Sequence, residues 1–412
     1  MKILILGLNY APEPVGIGPY TTGLAEDMAA RGHTVTVVAG KPYYPQWRPY
    51  DGQPKGRTIS RENGVTITRV PQYIPQNPTG AKRIAHHLSF AASANGAAMP
   101  LAAAGGADVV FTIAPSLLSV PVAARAARKA GAPLWVHVQD FEVEAAFATG
   151  LVKESGGVAG TARSIENRIL GMADMVSTIS PQMCAKLLEK GVPESRIYQL
   201  RNWSNAAFFG SAAQDGGAYR AEWGIGDRKV ALYSGNIANK QGIEIVIEAA
   251  RILKDREDLV FVICGEGPNR ARLAALSADL KNVQLHDLQP AERMGDLLSL
   301  ASVHLLPQIP GAADLVLPSK LTNMLQSGRP VVATAAQGTG LHDEVDGCGV
   351  LTRPGDAAAF AGAIAALLDD APRRTELGQA ALARAQERWS RTAILDRFED
   401  ALVSLVNAPR KG

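Results

Sequence analysis

The chain has 412 residues, of which 47% are hydrophobic and 20% charged, and a formal net charge of +3. That length exceeds one ordinary core and favours two domains of about 200 residues each, while the composition fits a soluble globular enzyme and excludes a disordered or fibrous chain. So small a charge implies no nucleic-acid partner, and three dispersed cysteines, Cys184, Cys264 and Cys348, without metal-type spacing fit a reducing cytoplasm.

The first apolar run, Lys2 to Leu8, meets Tyr10, Pro12, Glu13 and Pro14 at once and reads as a core strand, not a secretion signal. Strands are expected next at Thr34 to Ala39, Val65 to Val70, Val109 to Ile113, Leu134 to Val138 and Met175 to Ile179. In the second half they are expected at Val230 to Gly235, Leu259 to Cys264, Val283 to Leu285, Val303 to Leu306, Val331 to Ala333 and Gly349 to Leu351. Helical stretches between them are long enough for right-handed crossovers, so each half reads as a parallel sheet covered on both faces by helices. The small-residue stretch Ser211 to Ala218 is the expected boundary, giving domains at 1–210 and 219–390. The last helix, within 391–412, can pack on either domain. The alanine-rich run Phe90 to Ala107 is too interrupted to span a membrane.

Ligands of such sheets bind beyond the carboxyl ends of the strands, and two such domains facing each other enclose a cleft. Three loops of the second half qualify. Gly235, Asn236, Lys240 and Gly242 lie between a strand and a helix with apolar positions Ile243, Val246, Ile247 and Ala250. Gly265, Glu266, Gly267 and Pro268 follow the next strand. Ser319 can cap a helix whose buried face is Leu321, Met324 and Leu325, which places Lys320 in its first turn, where free N–H groups favour an anion. Two lysines at two helix starts point to a diphosphate; taken singly, each loop is also read as an ordinary capped turn with a solvated lysine.

The first half offers three further candidates. Gly16 and Gly18 follow the first strand too late, and without a third glycine, for a dinucleotide fingerprint. His137, Gln139 and Asp140 close a strand, with Glu142 and Glu144 beyond. A carboxylate there can orient a sugar hydroxyl or assist proton transfer, or Asp140 can cap a turn while His137 is satisfied within the strand. Tyr43, Tyr44, Trp47 and Tyr50 offer flat faces with polar edges to a sugar or lipid head group, or anchor their own loop.

Together these residues resemble glycosyltransferase family 4, retaining enzymes of GT-B architecture that use nucleotide-sugar donors. The likeness runs through the glycine loop at Gly16 and Gly18, the sequence Arg31, Gly32, His33, Thr34, the GEGP at Gly265 and SGRPVVAT at Ser327. WVHVQDFEVEAAF (Trp135 to Phe147), NKQGIE (Asn239 to Glu244) and LPSKLTNML (Leu317 to Leu325) resemble its colanic-acid-type fucosyltransferase branch. The resemblance implies two Rossmann-like doubly wound domains, an N-terminal acceptor side and a C-terminal nucleotide-sugar side. It further implies a donor diphosphate held by Lys240 and Lys320, a facing loop at Gly16 and Gly18, and a nucleotide near Gly265 to Pro268 and the loop His286 to Gln289 that contains Leu288. From the residues themselves, the acceptor side is expected at His137, Gln139, Glu142, Tyr44 and Trp47, with Asp140 beside Lys240 and Lys320 as the catalytic set.

The implied reaction moves L-fucose from GDP-fucose to a growing, lipid-linked exopolysaccharide or an oligosaccharide. The alternatives are a nucleotide-sugar-binding protein without transfer and an epimerase of the same fold. The sequence departs from the family pattern where two glutamates with seven residues between them are usual: Leu315, with Asp314 beside it, and Asn323 stand there. An asparagine hydrogen-bonds a ribose hydroxyl but carries no charge. Asn236 likewise replaces a common arginine and Gln139 a common histidine. No Asp-any-Asp pattern and no histidine pair of zinc spacing occurs, so no metal or other cofactor is expected and protein groups must meet the charge on the leaving diphosphate. Lys82, Arg83, His86 and His87 on one expected helix, Thr79 to Ala94, and Arg125, Arg128 and Lys129 on another can face anionic lipid at the cytoplasmic membrane surface, or simply water.

Overall fold

The computed structural model describes residues 1–14, 16–103, 105–141, 157–204, 209, 216–237, 241–309 and 320–409. The chain divides into two compact units, Met1–Arg201 with Thr392–Gly412, and Asn202–Arg391. The first division falls at Arg201 and Asn202, ahead of the 211–218 stretch, because Ser204 is already bonded to the second unit: its N–H reaches the Trp389 carbonyl at 2.9 Å and its hydroxyl reaches Gln326 at 3.1 Å.

The first unit carries β1 (Lys2–Gly7), β2 (Thr34–Gly40), β3 (Thr58–Glu62), β4 (Val65–Val70), β5 (Val109–Ala114), β6 (Leu134–Val138), β7 (Met175–Thr178) and β8 (Ile197–Gln199). Their order in the sheet is β3-β4-β2-β1-β5-β6-β7-β8. Ile5 pairs with Val37 on one side and Phe111 on the other, both parallel, so the order reverses at β1. The strands β1, β2 and β5 are almost wholly apolar and buried, as a parallel sheet covered on both faces requires.

The sheet is parallel as expected, apart from one edge strand. Here β3 runs antiparallel to β4, with Ile59 opposite Thr68. The sequence TISRE has a partly exposed, polar pattern that does not read as a core strand, and it is joined to β4 by a tight turn at Asn63 and Gly64, both at positive φ. The short β8 was likewise invisible, being only Ile197–Gln199.

The C-terminal helix, Arg391–Asn407, belongs to the first unit through most of its length. Phe398, fully buried, meets Phe111 with ring centres 5.5 Å apart and Trp135 at 5.2 Å. Arg31 bonds Asp27, Asp396 and Glu399, and His33 bonds Glu399 at 2.7 Å, so the Arg-Gly-His turn before β2 is an anchor for this helix.

The second unit carries β9 (Lys229–Ser234), β10 (Leu259–Cys264), β11 (Val283–His286), β12 (Val303–Leu306), β13 (Val331–Thr334) and β14 (Gly349–Thr352), ordered β11-β10-β9-β12-β13-β14 and parallel throughout. This is the doubly wound order with its switch between β9 and β12, where the crevice outside the strand ends takes ligands. One core layer holds Tyr233, Ile243, Val246, Phe261 and Ile263; another holds Leu321, Met324, Leu325 and Trp389.

Candidate active site

At the switch point of the second unit, the helix Lys320–Gln326 begins with its lysine. Leu321, Met324 and Leu325 are fully buried and fix the helix against the sheet, and Gly328, at φ +67°, ends it with its N–H on the Leu325 carbonyl. The packing drives the Lys320 side chain inward over β9. Its Nζ stands 4.0 Å from the centre of the Tyr233 ring, and its Cδ lies 3.3 Å from where a Cβ on Gly235 would be.

Among the described residues the Lys320 ammonium has no hydrogen-bond partner and no access to solvent. Burial lowers its pKa to about 7, since desolvation penalises the charged form and the Tyr233 face compensates only in part. The Tyr233 ring is held in turn by its hydroxyl, which donates to the Asn236 carbonyl at 2.6 Å. A cation enclosed in this way, unpaired among the described residues, marks the carboxyl end of the central strand as a candidate site for an anion.

The two glycine loops are one structure. Gly235 N–H donates to the Cys264 carbonyl at 2.9 Å, and Ile237 N–H to the Glu266 carbonyl at 2.8 Å. A Cβ on Gly265 would lie 1.9 Å from the Gly235 oxygen, and one on Gly267 2.3 Å from the Ile237 oxygen. Glycine is therefore required by close backbone approach. Arg270 braces the second loop: its Nη1 donates to the Gly265 and His286 carbonyls, both at 2.8 Å, and its Nη2 pairs with Asp287 at 2.5 Å. Glu266 and Asn236 are exposed on these loops, and Leu288, 48% exposed, stands beside Asp287. Asn323 lies one turn along the helix from Lys320, half-buried. Lys240, Ser319 and Glu142 lie outside the described residues.

In the first unit, Gly16, Gly18, Tyr44 and Trp47 gather at the ends of β1 and β2. A Cβ on Gly16 would lie 3.2 Å from the Tyr44 ring. Tyr43 packs edge-on against both Trp47, at 5.2 Å, and His86, at 4.6 Å. His137 and Gln139 form a separate pair at the end of β6. The Gln139 amide meets His137 Nε2 at 2.9 Å and Ser177 Oγ meets Nδ1 at 2.9 Å, while Trp135 donates to the same Ser177 oxygen at 2.8 Å. Burial takes the His137 pKa down to about 3. Its ring is buried and engaged at both nitrogens, the surroundings of a satisfied strand histidine. Asp140 follows, half-buried, at the close of its described segment.

Sequence reasoning missed Tyr233, Arg270 and Glu13. Tyr233 was hidden in an unbroken apolar strand, and Glu13 between two prolines read only as part of a loop.

Residues 15–203 match the glycosyl transferase 4-like domain and residues 217–384 match the glycosyl transferases group 1. A protein of Escherichia coli K12 named colanic acid biosynthesis glycosyl transferase WcaI is 42% identical over 343 residues, 81% of this chain and 83% of that one. The chain belongs to glycosyltransferase family 4. The fold of this transferase is the GT-B architecture. Sucrose-phosphate synthase of Thermosynechococcus elongatus superposes with a TM-score of 0.75 at 20% identity, over 99% of this chain and 100% of that one. Anabaena HepE in complex with UDP-glucose superposes with a TM-score of 0.70 at 15% identity, over 98% and 100%. Among the described residues no helix is long and apolar enough to cross a membrane.

Proposed function

We propose that the transferase moves a sugar from a nucleotide-sugar donor to a growing exopolysaccharide glycan of the colanic acid type, and that Lys320 meets the donor diphosphate. The observation that carries this reading is the enclosed Lys320 ammonium at the end of β9, which has no hydrogen-bond partner among the described residues. A diphosphate placed there supplies the missing counter-charge. As the bond from the anomeric carbon to the phosphate oxygen breaks, negative charge grows on the leaving group, and the preset ammonium stabilises it. Lys240 is proposed to share this task. The sugar, then cation-like, is captured on the departing face by an acceptor hydroxyl, which gives retention, and the hydroxyl proton passes to the released diphosphate oxygen.

The donor is proposed to be GDP-fucose. Support for it is the resemblance of NKQGIE and LPSKLTNML to the fucosyltransferase branch, alongside the E. coli relative whose name refers to colanic acid. A thermal-shift panel of GDP, UDP, ADP and dTDP sugars tests it, because stabilisation follows affinity. GDP-fucose should raise Tm the most; a larger rise with a UDP sugar would reassign the donor.

The acceptor is proposed to be lipid-linked, with the enzyme in the cytoplasm and peripherally on its membrane. The helix Gly80–Leu101 supports this. Its exposed Ile84 and Leu88 lie one turn apart, near exposed Tyr73 and beside exposed Lys82 and Arg83, an apolar strip with a cationic margin suited to anionic lipid.

A further inference from the structure

We infer that Glu13 is a positioning residue for transfer, holding the glycine loop after β1 and the aromatic loop after β2 in one arrangement. This rests on the reading that those two loops carry substrate. The Glu13 side chain is only 3% exposed. One carboxylate oxygen, Oε1, accepts from the backbone N–H groups of Tyr43, at 2.9 Å, and Tyr44, at 3.0 Å. The other, Oε2, accepts from Asn9 Nδ2 at 2.8 Å. Burial pushes the Glu13 carboxyl up, while those three donors and the charge of Arg69 oppose it.

The residue sits where three segments meet. Gly18, the first residue of the helix Gly18–Ala30, packs so closely that a Cβ on it would stand 3.1 Å from Glu13 Cβ and 3.2 Å from the Glu13 carbonyl oxygen. Gly16, at φ +74°, lies against the Tyr44 ring. The neighbouring Ala11 is tied down on both sides, its N–H on Thr22 Oγ1 at 2.8 Å and its carbonyl on Arg69 at 2.6 Å. Glu13 thus stands on a fixed base and reaches across to the second loop. A loop tip without secondary structure needs such a bond to keep one shape, and a buried carboxylate bound by two successive N–H groups selects one backbone geometry at Tyr43 and Tyr44.

The test compares Glu13→Gln, Glu13→Ala and Glu13→Asp with wild type, per folded molecule. Glutamine keeps the Oε1 acceptor; alanine removes it; aspartate is a methylene too short and serves where the alanine variant does not fold. Hydrogen exchange at Tyr43 and Tyr44 should quicken at least about tenfold in Glu13→Ala and Glu13→Asp, as local opening becomes easier. Turnover of GDP-fucose with lipid-linked acceptor should fall about a hundredfold in those two, the usual cost of a displacement of about 1 Å at a reacting group. The Kd for GDP should change far less than turnover, because Lys320 is untouched, and Glu13→Gln should restore both exchange and turnover. Unchanged exchange at Tyr43 and Tyr44 would overturn the inference, as would wild-type turnover in Glu13→Ala. Parallel loss of Tm and GDP binding would do so too, marking a merely structural role. If wild type fails to turn over GDP-fucose, the donor reading fails and hydrogen exchange alone decides the role of Glu13.

Discussion

The Lys320 ammonium rests 4.0 Å above the centre of the Tyr233 ring, enclosed and without a hydrogen-bond partner among the described residues. On the proposed reading, the donor diphosphate is received by that cation. Replacing it with alanine removes the charge and leaves the apolar contacts of Leu321, Met324 and Leu325 in place. Lys320→Ala should cut kcat by about 10²- to 10³-fold, the range for one preset electrostatic donor. Urea unfolding should show little loss of stability, and full turnover with unchanged stability would count against the assignment.

The same burial sets a pH signature. In the folded chain Lys320 loses its proton near pH 7, against an ordinary value of 10.5. Between those values the unfolded chain binds more protons, so this group's penalty on stability is full below about pH 7 and is relieved as pH rises toward 10.5. Lys320→Met should therefore be more stable than wild type at pH 6, with the advantage shrinking by pH 9. An advantage that grows with pH would contradict the geometry.

Much of this was written in the sequence, and the reasons for the rest are physical. Each expected strand appears close to its expected ends, because buried parallel strands such as Leu259–Cys264 are unbroken apolar runs. The face Leu321, Met324 and Leu325 was legible from helical spacing. Periodicity gives no sign of which buried ring lies under a lysine, so Tyr233 was indistinguishable from its neighbours in β9. His137 shows the limit of local pattern: its partners, Ser177 and Gln139, are visible only in the fold. Ser177 lies 40 residues away, beyond the reach of local pattern.

Gly265 offers a test of loop packing. Its Cβ would fall 1.9 Å from the Gly235 oxygen, with backbone on the far side and no flexible chain to yield. Gly265→Ala should destabilise the second unit by about 1–3 kcal/mol, as overpacking does, and weaken GDP binding by moving Gly235 away from Lys320. Calorimetric Tm and GDP titration would read both; wild-type values would refute the shared-loop account.

Phe398 carries the C-terminal helix onto the first unit. Phe398→Ala should cost about 3–5 kcal/mol, the range for emptying a buried aromatic site. Trp135, in edge contact with that ring, should report the change in its fluorescence during urea unfolding. A loss below about 1 kcal/mol would show the helix to be dispensable.

The peripheral membrane contact predicts that Ile84→Asp combined with Leu88→Asp abolishes flotation with anionic vesicles at low salt, while leaving turnover of a soluble oligosaccharide acceptor intact. Wild-type protein that does not float would retire the contact altogether.

The most direct test of Lys320 as the diphosphate ligand is isothermal titration of GDP into wild type and Lys320→Met at pH 8.5, repeated in buffers of different ionisation enthalpy. Wild type should take up close to one proton on binding, because the anion recharges a lysine that is mostly neutral at that pH. The variant should take up none and bind at least about tenfold more weakly, a loss of about 1.4 kcal/mol. Equal affinity with no proton uptake in either protein would contradict the account.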